Sequence, residues 1–254
     1  MPYRLIIGIV IILLSVLHTG CLRTYYPAIY QSSAPPLVYD HCDSLGSESS
    51  FAAADFTASE GDHGGESAYL IRLTWLKTVT REHTNFNLRY WGYGGTYTVA
   101  GLEWADEYYN SGRAHWNGTK WAFGLGADAA FSLNFRIDDV KIGVGSAFGA
   151  CYEAGSYADF RKETESRGIT DSHTGGFIVL VSLFQTTNIR LSETSSISAQ
   201  ISVGIPGGIT PALSFHSDNT IIWAALLPDF RDSKAAHRFS LGVMLNMNSL
   251  PFSF

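Results

Sequence analysis

Charge is scarce in this chain of 254 residues: Asp, Glu, Lys and Arg make up 16% of it, against roughly 25% in soluble domains. Something other than charge therefore covers much of its surface. Positive charge is the scarcer sign. The 17 Lys and Arg against 23 Asp and Glu give a formal net charge of −6, which excludes the basic footprint of a nucleic-acid-binding protein. Long apolar runs are missing too, since the longest, Leu5 to Leu17, falls short of the roughly 20 residues that a membrane-spanning helix needs. The eight His and three Cys form no His-x-x-x-His pair and no Cys-x-x-Cys, and there is no phosphate-binding loop and no Gly-x-Ser-x-Gly elbow. No metal, cofactor or hydrolytic centre is expected. Beyond the N-terminus, no segment carries a helical apolar stripe.

What the chain does have is alternation. In "WAFGLGADAAFSLNF", Trp121 to Phe135, every odd position is apolar, while the even positions are Ala, Gly, Gly, Asp, Ala, Ser and Asn; this is the period of a strand. After a tight "RIDD" turn, Val140, Ile142, Val144, Phe148 and Tyr152 alternate with Lys141, Gly143, Gly145, Ala147 and Gly149. Residues 196–205 and 238–247 repeat the pattern, with weaker runs at 50–59, 68–79, 84–104, 176–186, 208–216 and 220–227. In a soluble barrel or sandwich the face opposite the core meets water and carries Lys and Glu. Here that face carries Gly, Ala, Ser and Asn, with Asp128 the only charge between Lys120 and Arg136. A membrane barrel accounts for both faces, turning large apolar residues to lipid and small or polar ones inward. Closure also pairs every strand edge, as hydrocarbon demands.

The connections sort by length. Those at 105–118, 153–175 and 228–237 are long and polar, those at 136–138, 187–194 and 217–219 are shorter, and the two sets fall at opposite ends of an up-and-down sheet. Outer-membrane barrels have short periplasmic turns and longer external loops. The "PG" at 206–207 would be external yet tight. Splitting 84–104 at "WGYGG" gives eleven strands with the termini on opposite sides, which an even-stranded barrel forbids; one long strand with a Gly bulge gives ten. The expectation is an all-β, antiparallel up-and-down transmembrane β-barrel of about ten strands over residues 50–254, with eight or twelve as the alternatives.

The N-terminus reads as an address. Arg4, the apolar run and "HTGC" before Leu22 form a signal segment. It resembles the precursors of bacterial lipoproteins, whose signal ends in Leu, a small residue, Gly or Ala, and then the lipidated Cys. Thr19, Gly20 and Cys21 match and His18 departs, with Leu17 one place early. The resemblance implies that residues 1–20 are removed and that Cys21 carries acyl chains, each buried methylene adding about 0.8 kcal/mol of membrane anchoring. The alternative is an ordinary signal peptide that leaves Cys21 unmodified. Residues 21–49, with Pro27, Pro35 and Pro36 and no sustained period, read as a flexible tether. Cys42 and Cys151 remain, and a disulfide between them is open because nothing in the sequence brings them together. The C-terminal "SLPFSF" resembles the terminal aromatic signal of outer-membrane barrel proteins. As a whole the chain resembles a small outer-membrane β-barrel lipoprotein, which implies the bacterial outer membrane, its lipid as a partner, and export through the signal peptide.

Three stretches are candidates for more than architecture. In "SFHSDN", Ser214 to Asn219, there is a partial resemblance to an outer-membrane lipid A deacylase family with a Phe-x-His-x-Ser-Asn pattern. His216 and Ser217 are adjacent, however, and so point to opposite faces of a strand; the segment reads as a polar turn at Asp218 and Asn219. In "EYYNSGRAHW", Tyr108, Tyr109, Arg113, His115 and Trp116 read either as a girdle at headgroup level or as an external loop binding a surface glycan or a protein. Residues 153–174, rich in both charges, read as a solvated external loop. The function expected is structural, surface-interaction or small-solute transport, with no catalytic residue and no cofactor. The alternatives are a lipid-modifying barrel enzyme and a soluble, lipid-anchored sandwich or lipocalin-like binding module.

Overall fold

A computed structural model describes residues 23–31, 35–36, 47–103, 116–205, 208–226 and 238–249. In chain order the strands are β1 (Arg23–Tyr25), β2 (Ser47–Ser59), β3 (Ser67–Thr80), β4 (Thr84–Val99), β5 (Gly118–Ile137), β6 (Val140–Ala154), β7 (Thr170–Ser172), β8 (Phe177–Arg190), β9 (Ser195–Ile205), β10 (Gly208–Ser217), β11 (Thr220–Leu226) and β12 (Phe239–Asn246). Helix α1 (Ser156–Ser166) lies between β6 and β7. Ten strands form one closed antiparallel barrel in chain order, with β12 pairing back onto β2; β1 and β7 form a separate parallel pair. The ten-strand expectation and its boundaries hold closely.

The apolar face of residues 121–135 points out of the barrel. Leu125 is 74% exposed and Trp121 66% exposed, while the inward Asp128, Ser132 and Asn134 are buried. Among the described residues no second layer covers the outer face, so these side chains meet hydrocarbon rather than a protein core. The soluble alternatives fall with that observation.

The expected Gly bulge in β4 is absent. Register with β3 and β5 runs unbroken through Gly92, Gly94 and Gly95. Gly95 serves close approach instead, because a Cβ there would stand 1.9 Å from the Tyr69 carbonyl oxygen.

Short connections 81–83, 138–139, 191–194 and 218–219 gather at one end of the barrel, together with the start of β2 and the end of β12. Asp138 and Asp218 take positive φ, 52° and 42°, in two-residue hairpins, a conformation that Asp tolerates better than most residues. The longer connections 60–66, 100–117, 155–176 and 227–238 share the opposite end with the tight 206–207.

Large rings fill the lumen because glycine faces them across the ladder. Trp91 pairs with Gly126, Tyr93 with Gly124, Phe184 with Gly145 and Trp223 with Gly242. A Cβ at Gly242 would lie 2.1 Å from the Trp223 ring, and one at Gly126 2.4 Å from the Trp91 ring. The inward glycines therefore mark where an indole or phenyl ring lies flat across the neighbouring strand. Several polar inward residues pair with one another: Thr57 with Ser240 at 2.8 Å, Thr78 with Asn85 at 2.9 Å and Asn188 with Ser196 at 3.1 Å. Cys151 is a buried free thiol; Cys42 lies outside the described residues.

Candidate functional site

Two segments expected to be loose in solvent are packed into the long-loop end of the barrel. The first is residues 23–31 of the expected tether: Tyr25, Ala28, Ile29 and Gln31 are buried, the last four residues forming a short 3-10 turn. The second is the expected external loop after β6, where α1 buries Tyr157, Phe160, Arg161 and Thr164. That spacing is one helical face. The helix ends in a Schellman arrangement, Gly168 N–H donating to Glu165 O at 2.8 Å and Ile169 N–H to Thr164 O at 2.9 Å, with Gly168 at φ 69°. Neither segment is a flexible connector where it is described, because each buries an apolar side against the other. Tyr25 meets Phe160 edge-on at 5.1 Å, and Tyr157 stacks on Tyr97 of β4 at 4.2 Å.

Three buried carboxylates seat the N-terminal segment. Glu66 accepts from the hydroxyls of Tyr25 and Tyr97, both at 2.7 Å. Asp62 accepts from Gln31 Nε2 at 2.7 Å and from the Tyr26 N–H at 3.2 Å, with Arg238 3.5 Å away. Glu153 accepts from Tyr93 Oη at 2.5 Å and from the Ile29 N–H at 3.4 Å, and forms an ion pair with Arg161. Arg161 also donates to the His173 carbonyl, so it ties α1 both to the barrel wall and to the chain leading into β8. The backbone joins in, with His173 N–H donating to Tyr25 O at 3.1 Å and Tyr157 Oη to Tyr26 O at 3.0 Å. Burial raises the carboxyls of Asp62 and Glu66 above their ordinary values, against the opposing pull of Arg238 on the first and of the tyrosine hydroxyls on the second. Burial likewise pushes Tyr157 well above the usual phenol value, which leaves it a neutral donor.

Lower in the lumen the chain is held again. Arg89 donates to Pro35 O at 2.8 Å and pairs with Asp128 at 2.5 Å, and Asp128 also accepts from Trp91 Nε1 at 3.0 Å. Arg72 and Asp55 form a second buried pair at 3.0 Å. Alternation marks Asp128 as an inward charge on β5 but says nothing of Arg89 opposite it on β4, because two strand positions share a rung only once the register is known.

The residues singled out from the sequence fare unevenly. Cys21, Tyr108, Tyr109, Arg113 and His115 lie outside the described residues, as does "PFSF" after Leu250. Trp116 is buried, with the Arg167 guanidinium 5.4 Å from its ring; it is neither a girdle residue on the lipid face nor an open contact residue. His216 points into the lumen and shares a hydrogen bond with Ser214 at 2.9 Å, while Ser217 lies on the other face, as adjacency requires. The deacylase-like pattern thus has no lipid-facing His here.

No protein-family model matches the sequence, and no curated protein matches it either. Solved structures similar to it include Neisserial surface protein A, with 11% identity over 80% of this chain and 99% of that one and a TM-score of 0.36. An outer-membrane channel from Pseudomonas putida F1 shows 7% identity over 83% and 100%, with a TM-score of 0.43. The attachment invasion locus protein Ail of Yersinia pestis shows 7% over 80% and 99%, with a TM-score of 0.32. At these values no function passes from them to this chain. Its own closed strands and apolar exterior make the architecture that of an outer-membrane β-barrel.

Proposed function

We propose that this protein is a plugged outer-membrane barrel lipoprotein, exported by its signal segment and acylated on Cys21, whose working surface is the long-loop end rather than an open pore. The observation that carries this reading is the seating of residues 23–31 and 35–36 inside the barrel by Glu66, Asp62, Glu153 and Arg89. Ten strands leave a narrow lumen once side chains fill it, and here a backbone segment occupies it as well. The role is structural or surface-interacting, with a glycan or protein as the class of partner, and no catalytic step is assigned. His216 and Ser214 serve as a lumen hydrogen bond in this reading, and His216→Ala leaves the acylation of lipid A unchanged in a host expressing the protein.

The test is conductance in planar bilayers. The full protein gives a closed baseline, and a variant lacking residues 23–36 behind an intact signal and Cys21 gives discrete ion steps. Open steps from the full protein at rest would overturn the reading in favour of solute transport.

A further inference from the structure

The two ends of the N-terminal segment sit at different heights in the barrel. Arg23 Nη1 donates to Ala100 O at 2.6 Å, just past the end of β4 at the long-loop rim, and Tyr25 reaches Glu66 and lies beside Tyr97, near the same rim. Pro35 lies beside Arg89, eight residues below Tyr97 on β4; that is about 26 Å along the strand and about 20 Å along the barrel axis at a tilt near 40°. β2 then starts at Ser47, at the short-turn end. The described chain therefore descends inside the lumen from the long-loop rim toward the short-turn end before it enters the wall. In an outer-membrane barrel the short turns are periplasmic and the long loops external.

We infer that the protein threads its own barrel, so that its N-terminus emerges on the outer face of the membrane. This rests on the lipoprotein reading in one respect: where Cys21 is acylated, its chains enter the outer leaflet. Residue 21 is two residues from Arg23, a reach of at most about 7 Å, far less than the roughly 30 Å hydrocarbon core it would have to recross to anchor in the inner leaflet. The arrangement also gives the lipid a task. Ten transmembrane strands already hold the barrel in the bilayer, whereas the described contacts that hold the segment at the rim are hydrogen bonds and ring contacts; acyl chains in the outer leaflet would keep it from slipping back toward the periplasm.

The experiment uses the full chain in a Gram-negative host, in a Cys42→Ser background, with folding verified by heat-modifiable mobility. A membrane-impermeant maleimide is applied to intact and to permeabilised cells carrying Arg23→Cys at the rim or Glu48→Cys at the short-turn end. Labelling of Arg23→Cys on intact cells several-fold above the parent, with Glu48→Cys labelled only after permeabilisation, is the result expected. The reverse pattern, or labelling of both only after permeabilisation, overturns the inference. Should the folded barrel mask Arg23→Cys, a short hydrophilic epitope between Leu22 and Arg23 decides by antibody binding to intact cells, its absence there overturning the threading. The mass of the N-terminal peptide reports acylation separately. An unmodified Cys21 with a surface-exposed N-terminus removes the lipid and leaves the threading; an acylated Cys21 with a periplasmic N-terminus removes the threading and leaves the lipid. Cys21→Ser is expected to leave recovery in the outer membrane unchanged, and loss of the barrel from that membrane would overturn the task given to the lipid.

Discussion

Glu153 shows how much one side chain does in the seated plug. It answers Arg161 from the helix, Tyr93 from the wall and the Ile29 N–H from the N-terminal segment. Glu153→Ala leaves a buried guanidinium without its counter-charge, a change that costs about 3–5 kcal/mol; urea unfolding in lipid vesicles should show the loss. Glu66 and Asp62 make seating depend on pH. Burial raises both carboxyls above 4.5 and 3.8 respectively, so each holds its proton more tightly when buried, and its contribution is fully present below the ordinary value and lost as pH rises through the raised one. Hydrogen-exchange protection of residues 25–31, corrected for intrinsic rates, is therefore expected to rise as pH falls from neutral toward the ordinary carboxyl range; a fall would contradict the burial argument.

At the scale of the strand, the two faces obey different rules. Leu125 stands in the lipid-facing row near the middle of β5, and Leu125→Arg is expected to cost about 2–4 kcal/mol in vesicle unfolding. Gly242 stands under the Trp223 ring, and Gly242→Ala is expected to cost about 1–3 kcal/mol by overpacking, although it adds a single methyl group. Strand boundaries were legible because period two survives whatever lies on each side of the sheet. The helix was not. Its buried face is Tyr157, Phe160, Arg161 and Thr164, and half of that stripe is polar, so a search for apolar periodicity passes over it. Arg161 can be buried because Glu153 and the His173 carbonyl, on different elements, meet its guanidinium.

At the scale of the whole molecule, closure turns ten amphipathic strands into one object with an apolar outside and a polar, crowded inside. Plug removal is the change that separates the wall from its contents. The variant lacking 23–36 should remain heat-modifiable, because the ladder from β2 to β12 does not include those residues, while its lumen conducts. Its ion steps should be absent from the parent at the same voltage, a difference read directly in the bilayer recording.

Sequence alone pointed to about ten strands, to the direction of the apolar face and to the end at which the long connections lie. These follow from alternation and from loop length, which are local properties and need no partner to be read. Only the tertiary structure decided what occupies the lumen. Tyr25, Glu66, Tyr97, Glu153 and Arg161 are scattered along the chain with no shared period, and they meet because closing the barrel brings the two long-loop segments over one opening. A proline-bearing stretch such as 22–36 looks like a tether in isolation, since nothing within it says that a ring of buried carboxylates waits to satisfy its backbone. Burial in the lumen supplies that reason: a segment's N–H and C=O groups can leave water only where partners are already in place, and here those partners are distributed over the barrel wall.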